Sequence, residues 1–262
     1  MTHIVWDMDP EILKWGPLTI RWYGLCFASA FLSGYYLVGR SLREDKVLGD
    51  PKTLELLLIY IAVGTVVGAR LGHCLFYEPG YYLSHPVQIL MIWQGGLASH
   101  GGGIGIFLAL FIFSRRHLSQ GRYLWLLDQV APAVPLGGAL IRLGNLFNSE
   151  IFGRPTDSPW AFVFKQIDNL PRHPTQLYES LSYLAIFVFL QLVVMPRKDR
   201  YADGGILGCV LVAIFSARFV IEFFKENQVA FEAHLPLTMG QLLSLPVIAL
   251  GLFLLSRSSR KA

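Results

Sequence analysis

The sequence predicts an all-α polytopic membrane protein of seven transmembrane helices, one of them broken by glycines, with a small outer-face cap between the fourth and fifth spans. Three observations carry this reading. Hydrophobic residues fill 53% of the 262 positions and mean hydropathy is +0.47. Charged residues make up 15%, well below the roughly 25% of a soluble domain. Lys and Arg are gathered into alternate connections between apolar stretches.

About 20 apolar residues are needed to cross a hydrocarbon core, and seven stretches reach that length. The first, Leu18 to Gly39, follows an acidic segment with Asp7, Asp9 and Glu11 rather than a basic leader. Its cleavage-like Ala28-Ser29-Ala30 is therefore read as part of an uncleaved span. The second is Thr53 to Phe76. The third, Pro86 to Phe113, holds the run from Gly95 to Gly105, six glycines in eleven positions around His100. The fourth, Tyr123 to Leu143, contains Asp128 and ends at Arg142; the fifth is Thr175 to Met195. The sixth, Gly204 to Phe224, carries Arg218 and Glu222, and the seventh is Pro236 to Leu255.

Orientation follows from the positive-inside rule. Thirteen Lys and Arg lie after the first, third, fifth and seventh spans, from Arg40 to Lys52, Arg115 to Arg122, Arg197 to Arg200 and Arg257 to Lys261. The opposite segments hold Lys14, Arg154, Lys165 and Arg172, while Glu78 to His85 and Asn227 to Leu235 hold none. The N-terminus is expected outside and the C-terminus in the cytoplasm. The net charge of +4 is accounted for by topology and implies no nucleic-acid surface. Without repeats or linkers the chain reads as one membrane domain, residues 1–262, with the insertion 144–174 as the cap. Turn signals there flank an apolar run from Trp160 to Phe164, which predicts a short strand or hairpin. Cys26, Cys74 and Cys209 have no metal-like spacing, so no metal site or disulfide is expected.

Five cations remain, Arg21, Arg70, Arg142, Arg218 and Lys225, within or at the edges of spans. A charge at bilayer depth costs at least about 2.5–3.5 kcal/mol and needs a polar interior or a partner. Arg21 and Lys225 sit near span ends and read as snorkelling. Arg218 has Glu222 one turn on, which allows an internal ion pair. Asp128, fourteen residues before Arg142, is too far for direct pairing and needs another partner. Arg142 opens a polar stretch in which Gly144 loosens the backbone and Asn145, Asn148 and Glu150 supply hydrogen-bonding groups. Guanidinium forks at that depth suit phosphate, and the phosphate available is that of lipid. His100 adds a group able to move protons near neutral pH. The glycines around it could serve packing alone; a broken helix whose N–H groups face an anion accounts better for their number.

The stretch containing Arg142, Gly144, Asn145, Asn148, Glu150 and Gly153 resembles the signature of the prolipoprotein diacylglyceryl transferases, with Ile141 where that signature usually begins with Gly. Further matches run almost end to end: Arg21-Trp22-Tyr23-Gly24, Gly68-Ala69-Arg70, His100-Gly101-Gly102, His173 to Glu179, and Arg218 to Phe224. Ile214 stands where some relatives have Tyr. The resemblance implies seven spans in the bacterial inner membrane and an outer N-terminus. It also implies transfer of the sn-1,2-diacylglyceryl group of phosphatidylglycerol to the lipobox cysteine of a prolipoprotein signal peptide, with release of glycerol phosphate. That reaction needs a base, a phosphate clamp and orientation of two amphiphiles, and no cofactor or metal. His100 is the expected base or proton shuttle, and Arg142 and Arg218 the clamp and charge stabilisers. Tyr23, Asn145, Asn148, Glu150, Gly153 and Arg70 are expected to contact substrate, with Asp128 and Glu222 orienting the cations. A lipid or anion transporter is the rival; it expects paired interruptions in two related halves, and one glycine break is present.

Overall fold

The computed structural model describes residues 3–16, 18–92, 95–119, 121–226 and 237–258. It is mostly helical, and the chain divides into two compact bodies, Met1–Gly34 with Val130–Ala262, and Tyr35–Gln129. Among the described residues five helices are long and apolar enough to cross a membrane: Pro51–Phe76, Tyr123–Phe147, Thr175–Arg200, Gly205–Phe224 and Met239–Ser258. Two more, α1 (Trp22–Ser41) and α4 (Ser99–His117), occupy the other expected places with 20 and 19 residues. Their apolar density is diluted by Gly, Ser and Tyr in α1 and by Gly and basic residues in α4.

The first body begins with strand β1 (Ile4–Trp6) and the hairpin β2 (Glu11–Trp15) and β3 (Leu18–Arg21). The first helix therefore starts at Trp22 rather than near Leu18, because Thr19 and Ile20 pair with Lys14 and Leu13 across the hairpin. Arg21 pairs with Glu11 at 3.1 Å on the exposed hairpin. Helix α6 (Val134–Phe147) runs into the segment carrying β4 (Phe162–Phe164) and β5 (Pro171–Arg172). β4 pairs antiparallel with β5 and, unforeseen from the sequence, parallel with β1. Leu146, Phe162 and Phe164 form the core beneath them, packed by Trp6, Phe152 and Leu177. Helix α7 (Thr175–Phe189) continues through a π-turn, Leu190–Val194, and a 3-10 turn. Two further helices follow, α8 (Gly205–Ile221), closed by a 3-10 turn Glu222–Phe224, and α9 (Met239–Ser258). Gly208 and Gly251 bring α8 and α9 to backbone contact; a Cβ on Gly208 would lie 2.8 Å from the Gly251 carbonyl oxygen. The expected outer loop Asn227 to Leu235, Pro236, Arg260 and Lys261 lie outside the described residues.

The second body is built on α2 (Pro51–Phe76) and α4, with the short helix α3 (Pro79–Ser84) and helix α5 (Tyr123–Val130) reaching its boundary. Asp50 caps α2, accepting from the Thr53 amide at 3.0 Å, and Pro51 at the first helical position supplies the preset φ. The expected third span is not one broken helix. Pro86–Leu90 is a 3-10 turn, residues 95–98 are irregular chain, and a continuous helix begins only at Ser99. Positive φ is needed at Gly95 and Gly96, ahead of that helix. Inside it, Gly101 and Gly105 serve packing: a Cβ on Gly72 would sit 2.8 Å from the Gly101 Cα, and one on Gly105 would strike the Gly64 carbonyl.

Candidate active site

In the first body, three elements deliver charged and polar groups to one buried cluster. Arg142 and Asn145 project from the last turns of α6, Glu179 from the second turn of α7, Glu222 from the turn that closes α8, and Lys225 from the residue that follows that turn. Glu179 is fully buried and bridges two cations, with Oε2 2.8 Å from Arg142 Nε and Oε1 3.0 Å from Lys225 Nζ. Glu222 reaches Lys225 at 3.3 Å, and Gly240 leaves the space its carboxylate occupies. Lys225 is thus buried at 2% exposure rather than snorkelling. Glu222 turns to Lys225, three residues on, and not to Arg218. Arg218, half-buried on α8, lies within the electrostatic reach of Glu179; among the described residues no hydrogen bond or ion pair engages its guanidinium.

From Arg142 a second chain of contacts runs into the turn after α6. Arg142 Nη1 donates to Asn145 Oδ1 at 3.0 Å, and Asn145 Nδ2 donates to Glu150 Oε1 at 2.7 Å, an oxygen that also accepts from Asn148 at 3.3 Å. Glu150 is presented by a strained turn. Ser149 and Ile151 on either side adopt φ of 52° and 58°, the left-handed region that costs a β-branched residue most. Helix α7 holds that turn in place. Thr175 Oγ1 donates to the Ile151 carbonyl at 2.9 Å and Gln176 Nε2 to the Glu150 carbonyl at 2.8 Å. The stretch His173 to Glu179 therefore works as a unit, two residues pinning the turn and a third anchoring Arg142. Tyr178, between them, accepts from Trp160 at 2.8 Å and contacts His173 Nδ1 at 3.0 Å.

Tyr23 packs its ring where Gly144 lacks a side chain, a Cβ there falling 2.9 Å from the Tyr23 ring, and its hydroxyl lies in the fields of Glu150 and Arg142. Gly153 is pressed between backbones: a Cβ would lie 2.5 Å from the Phe224 carbonyl and 2.6 Å from His173 Cβ. Gly153 thus admits close packing of these backbones. From β5, Arg172 donates to Asp168, which holds that carboxyl below the usual range, and burial pushes the imidazole of His173, the residue after the strand, down.

Three expected site residues belong to the second body. His100 is the second residue of α4 and is exposed; Asp128 is buried in α5. Arg70 is 3% exposed and donates to four backbone carbonyls, those of Gln88, Ile89, Gly95 and Gly96, at 2.5 to 3.3 Å, with its guanidinium 5.0 Å from the Tyr82 ring centre. Its donors thereby tie Gln88 and Ile89 to Gly95 and Gly96 ahead of α4. What sequence reasoning missed is Glu179 and the role of Lys225. The available signal was the carboxylate itself: an acid inside an apolar span is a functional suspect as much as a cation is.

Chemically the cluster holds one guanidinium rigidly and leaves part of it free. Arg142 spends Nε and Nη1 on protein acceptors, and Nη2 has no protein partner among the described residues. With Arg218 this makes a cationic pair suited to an anion.

A sequence profile described as prolipoprotein diacylglyceryl transferase matches residues 10–257. A protein of Chloroherpeton thalassium named phosphatidylglycerol–prolipoprotein diacylglyceryl transferase is 49% identical over 261 residues, covering 100% of this chain and 96% of the relative. One of the same name from Tolumonas auensis is 49% identical over 259 residues, covering 98% of each chain. Another from Bacteroides fragilis is 40% identical over 265 residues, covering 97% of this chain and 94% of the relative. The cluster around Arg142 is thus carried by a chain that matches over almost its whole length, and the protein belongs to the prolipoprotein diacylglyceryl transferase family.

Proposed function

We propose that the Arg142 centre binds the phosphate of phosphatidylglycerol and steadies the departing glycerol phosphate. As a member of its family the protein is a membrane transferase that moves a diacylglyceryl group from phosphatidylglycerol to a prolipoprotein, the first step of bacterial lipoprotein maturation. The observation that carries the site reading is the half-committed guanidinium of Arg142, fixed by Glu179 and Asn145 with one nitrogen uncommitted, beside Arg218.

The lipobox thiolate attacks the glyceryl carbon that bears the phosphate. A carbon–sulfur bond forms, the carbon–oxygen bond breaks, and its electron pair leaves on the phosphate oxygen. Negative charge grows on that oxygen in the transition state, where fixed cations act most strongly. This role is assigned to Arg142 and Arg218, while Glu179 and Glu150, through Asn145, keep the Arg142 fork from turning away. Tyr23 and Asn148 border the same site and serve head-group contacts. His100 is assigned the thiol proton, as base or shuttle. Arg70 is assigned to substrate only through the segment it holds. The two helices α1 and α4 complete seven spans, with the N-terminus and the 144–174 segment outside and the C-terminus in the cytoplasm of a bacterium.

The test is purified protein with phosphatidylglycerol and a lipobox peptide, followed by mass spectrometry. The diacylglyceryl adduct and glycerol phosphate should form in equal amounts and vanish when the peptide cysteine is replaced by alanine. Lipid binding without either product would overturn the reading.

A further inference from the structure

The uncovered side of the α2–α4 pair is a groove of about 570 Å³ with a floor and two walls. The floor is the glycine seam, where Gly64, Gly68 and Gly72 meet Gly101 and Gly105 at backbone contact. One wall is the α2 stripe Ile59, Val63, Val67, Leu71 and Leu75; the other is Ile104, Leu108 and Ile112 of α4. Spacing of four keeps each row on one helix face. Both walls stand open, Val63 at 56% and Ile104 at 65% exposure. The sixteen-residue rise from Ile59 to Leu75 makes the groove about 24 Å long, most of a hydrocarbon core.

The next step of the α4 stripe is Arg116, which lines the end of this groove. Its neighbours are engaged: Arg115 lies over the Phe111 ring, and Arg122 pairs with Asp45. Among the described residues no ion pair or hydrogen bond engages the Arg116 guanidinium. A long apolar furrow floored by bare backbone and closed at one end by an uncommitted cation is complementary to an anionic amphiphile.

We propose that this groove binds one anionic phospholipid, its acyl chain along the glycine floor and its phosphate on Arg116. An acyl chain is slim enough to reach backbone that side chains would otherwise cover. In a bilayer the walls are no more apolar than surrounding lipid, so preference rests on the headgroup, and a basic residue at the cytoplasmic boundary supplies it. The two competing occupants are disfavoured by charge. A signal peptide carries its basic segment to that same side, and a second copy would bring its own Arg116 against this one. The site shares no residue with the Arg142 cluster and rests only on α2 and α4 crossing the bilayer with Arg116 at the cytoplasmic boundary.

The test is native mass spectrometry of the full chain in neutral detergent, titrated with phosphatidylglycerol or phosphatidylcholine. Arg116→Ala should weaken one bound phosphatidylglycerol about tenfold, the loss of one charge-assisted contact, with phosphatidylcholine binding and transfer activity unchanged. Val67→Trp, which fills the groove and leaves Arg116 in place, should lose the same lipid. Unaltered phosphatidylglycerol affinity in Arg116→Ala, or equal affinity for the two lipids, would overturn the proposal. So would a dimer that Val67→Trp dissociates. Arg142→Ala is measured alongside: if it spares all bound lipid while Arg116→Ala does not, the transfer-site reading fails and the groove stands.

Discussion

Glu179 joins Arg142 to Lys225, its two carboxylate oxygens 2.8 and 3.0 Å from the two cations and fully buried between helices α6, α7 and the end of α8. Buried pairs contribute little net stability when made, because desolvation offsets attraction, but breaking one strands a charge. Glu179→Ala should therefore cost about 3–5 kcal/mol and abolish turnover. Glu179→Ala with Lys225→Met should recover neither stability, since Lys225 keeps Glu222 at 3.3 Å in the single variant and its loss strands that buried carboxylate, nor activity, since Arg142 stays unanchored. Thermal unfolding in detergent with the product assay reads both; recovery of activity in the double variant would contradict the anchoring role.

The strained turn at Ser149 to Ile151 predicts a second pair of effects. Thr175→Val and Gln176→Leu each leave a carbonyl of that turn without its donor, at a cost of about 1–3 kcal/mol. If the strain is what aims Glu150, both variants should also lose activity beyond what their stability explains, with KM for phosphatidylglycerol rising. Equal activity at temperatures well below unfolding would show that the turn's geometry is incidental to the site.

How much of this was legible beforehand depends on the range of the interactions. Arg142, Asn145 and Glu150 lie within nine residues, so their polar spacing after an apolar span announces them. The basic loops likewise announce the helices they bound. Lys225 did not show itself, because a cation near a span end looks the same whether it snorkels or turns inward to an acid 46 residues earlier. β1 was illegible for a like reason: its partner strand begins at Phe162, and nothing local in Ile4 to Trp6 demands pairing. The glycine run carried a real signal whose division was hidden. Gly95 and Gly96 serve the backbone turn, and Gly101 and Gly105 serve contact with α2.

That division makes the glycines separable by substitution. A Cβ at Gly105 collides with the Gly64 carbonyl, while one at Gly103 meets nothing within 4 Å. Gly105→Ala should force α2 and α4 apart, an overpacking cost of about 1–3 kcal/mol, and lower the yield of monodisperse protein. Gly103→Ala should match the parent in yield and melting temperature. Equal behaviour of the two variants would refute the seam.

The segment around β5 should make stability sensitive to acid. The hydrogen bonds from Arg172 lower the Asp168 pKa in the folded state, so the stability they contribute is present above the unfolded value of about 3.9 and is lost as pH falls through the folded one. Burial lowers His173, so its contribution is likewise present above about 6.5 and declines as pH falls toward the folded value. Melting temperature should fall from about pH 6.5 downward, with a shallower slope in His173→Gln. An identical slope in that variant would remove His173 from the account.

The most direct test of the Arg142 clamp is single-turnover transfer by Arg142→Lys and Arg142→Ala beside the parent, each shown to be folded by its melting profile. Lysine keeps the charge opposite Glu179 but loses the planar fork, so the rate should fall about a hundredfold or more in Arg142→Lys and vanish in Arg142→Ala. Parental rates in either folded variant would contradict the claim that this guanidinium holds the phosphate.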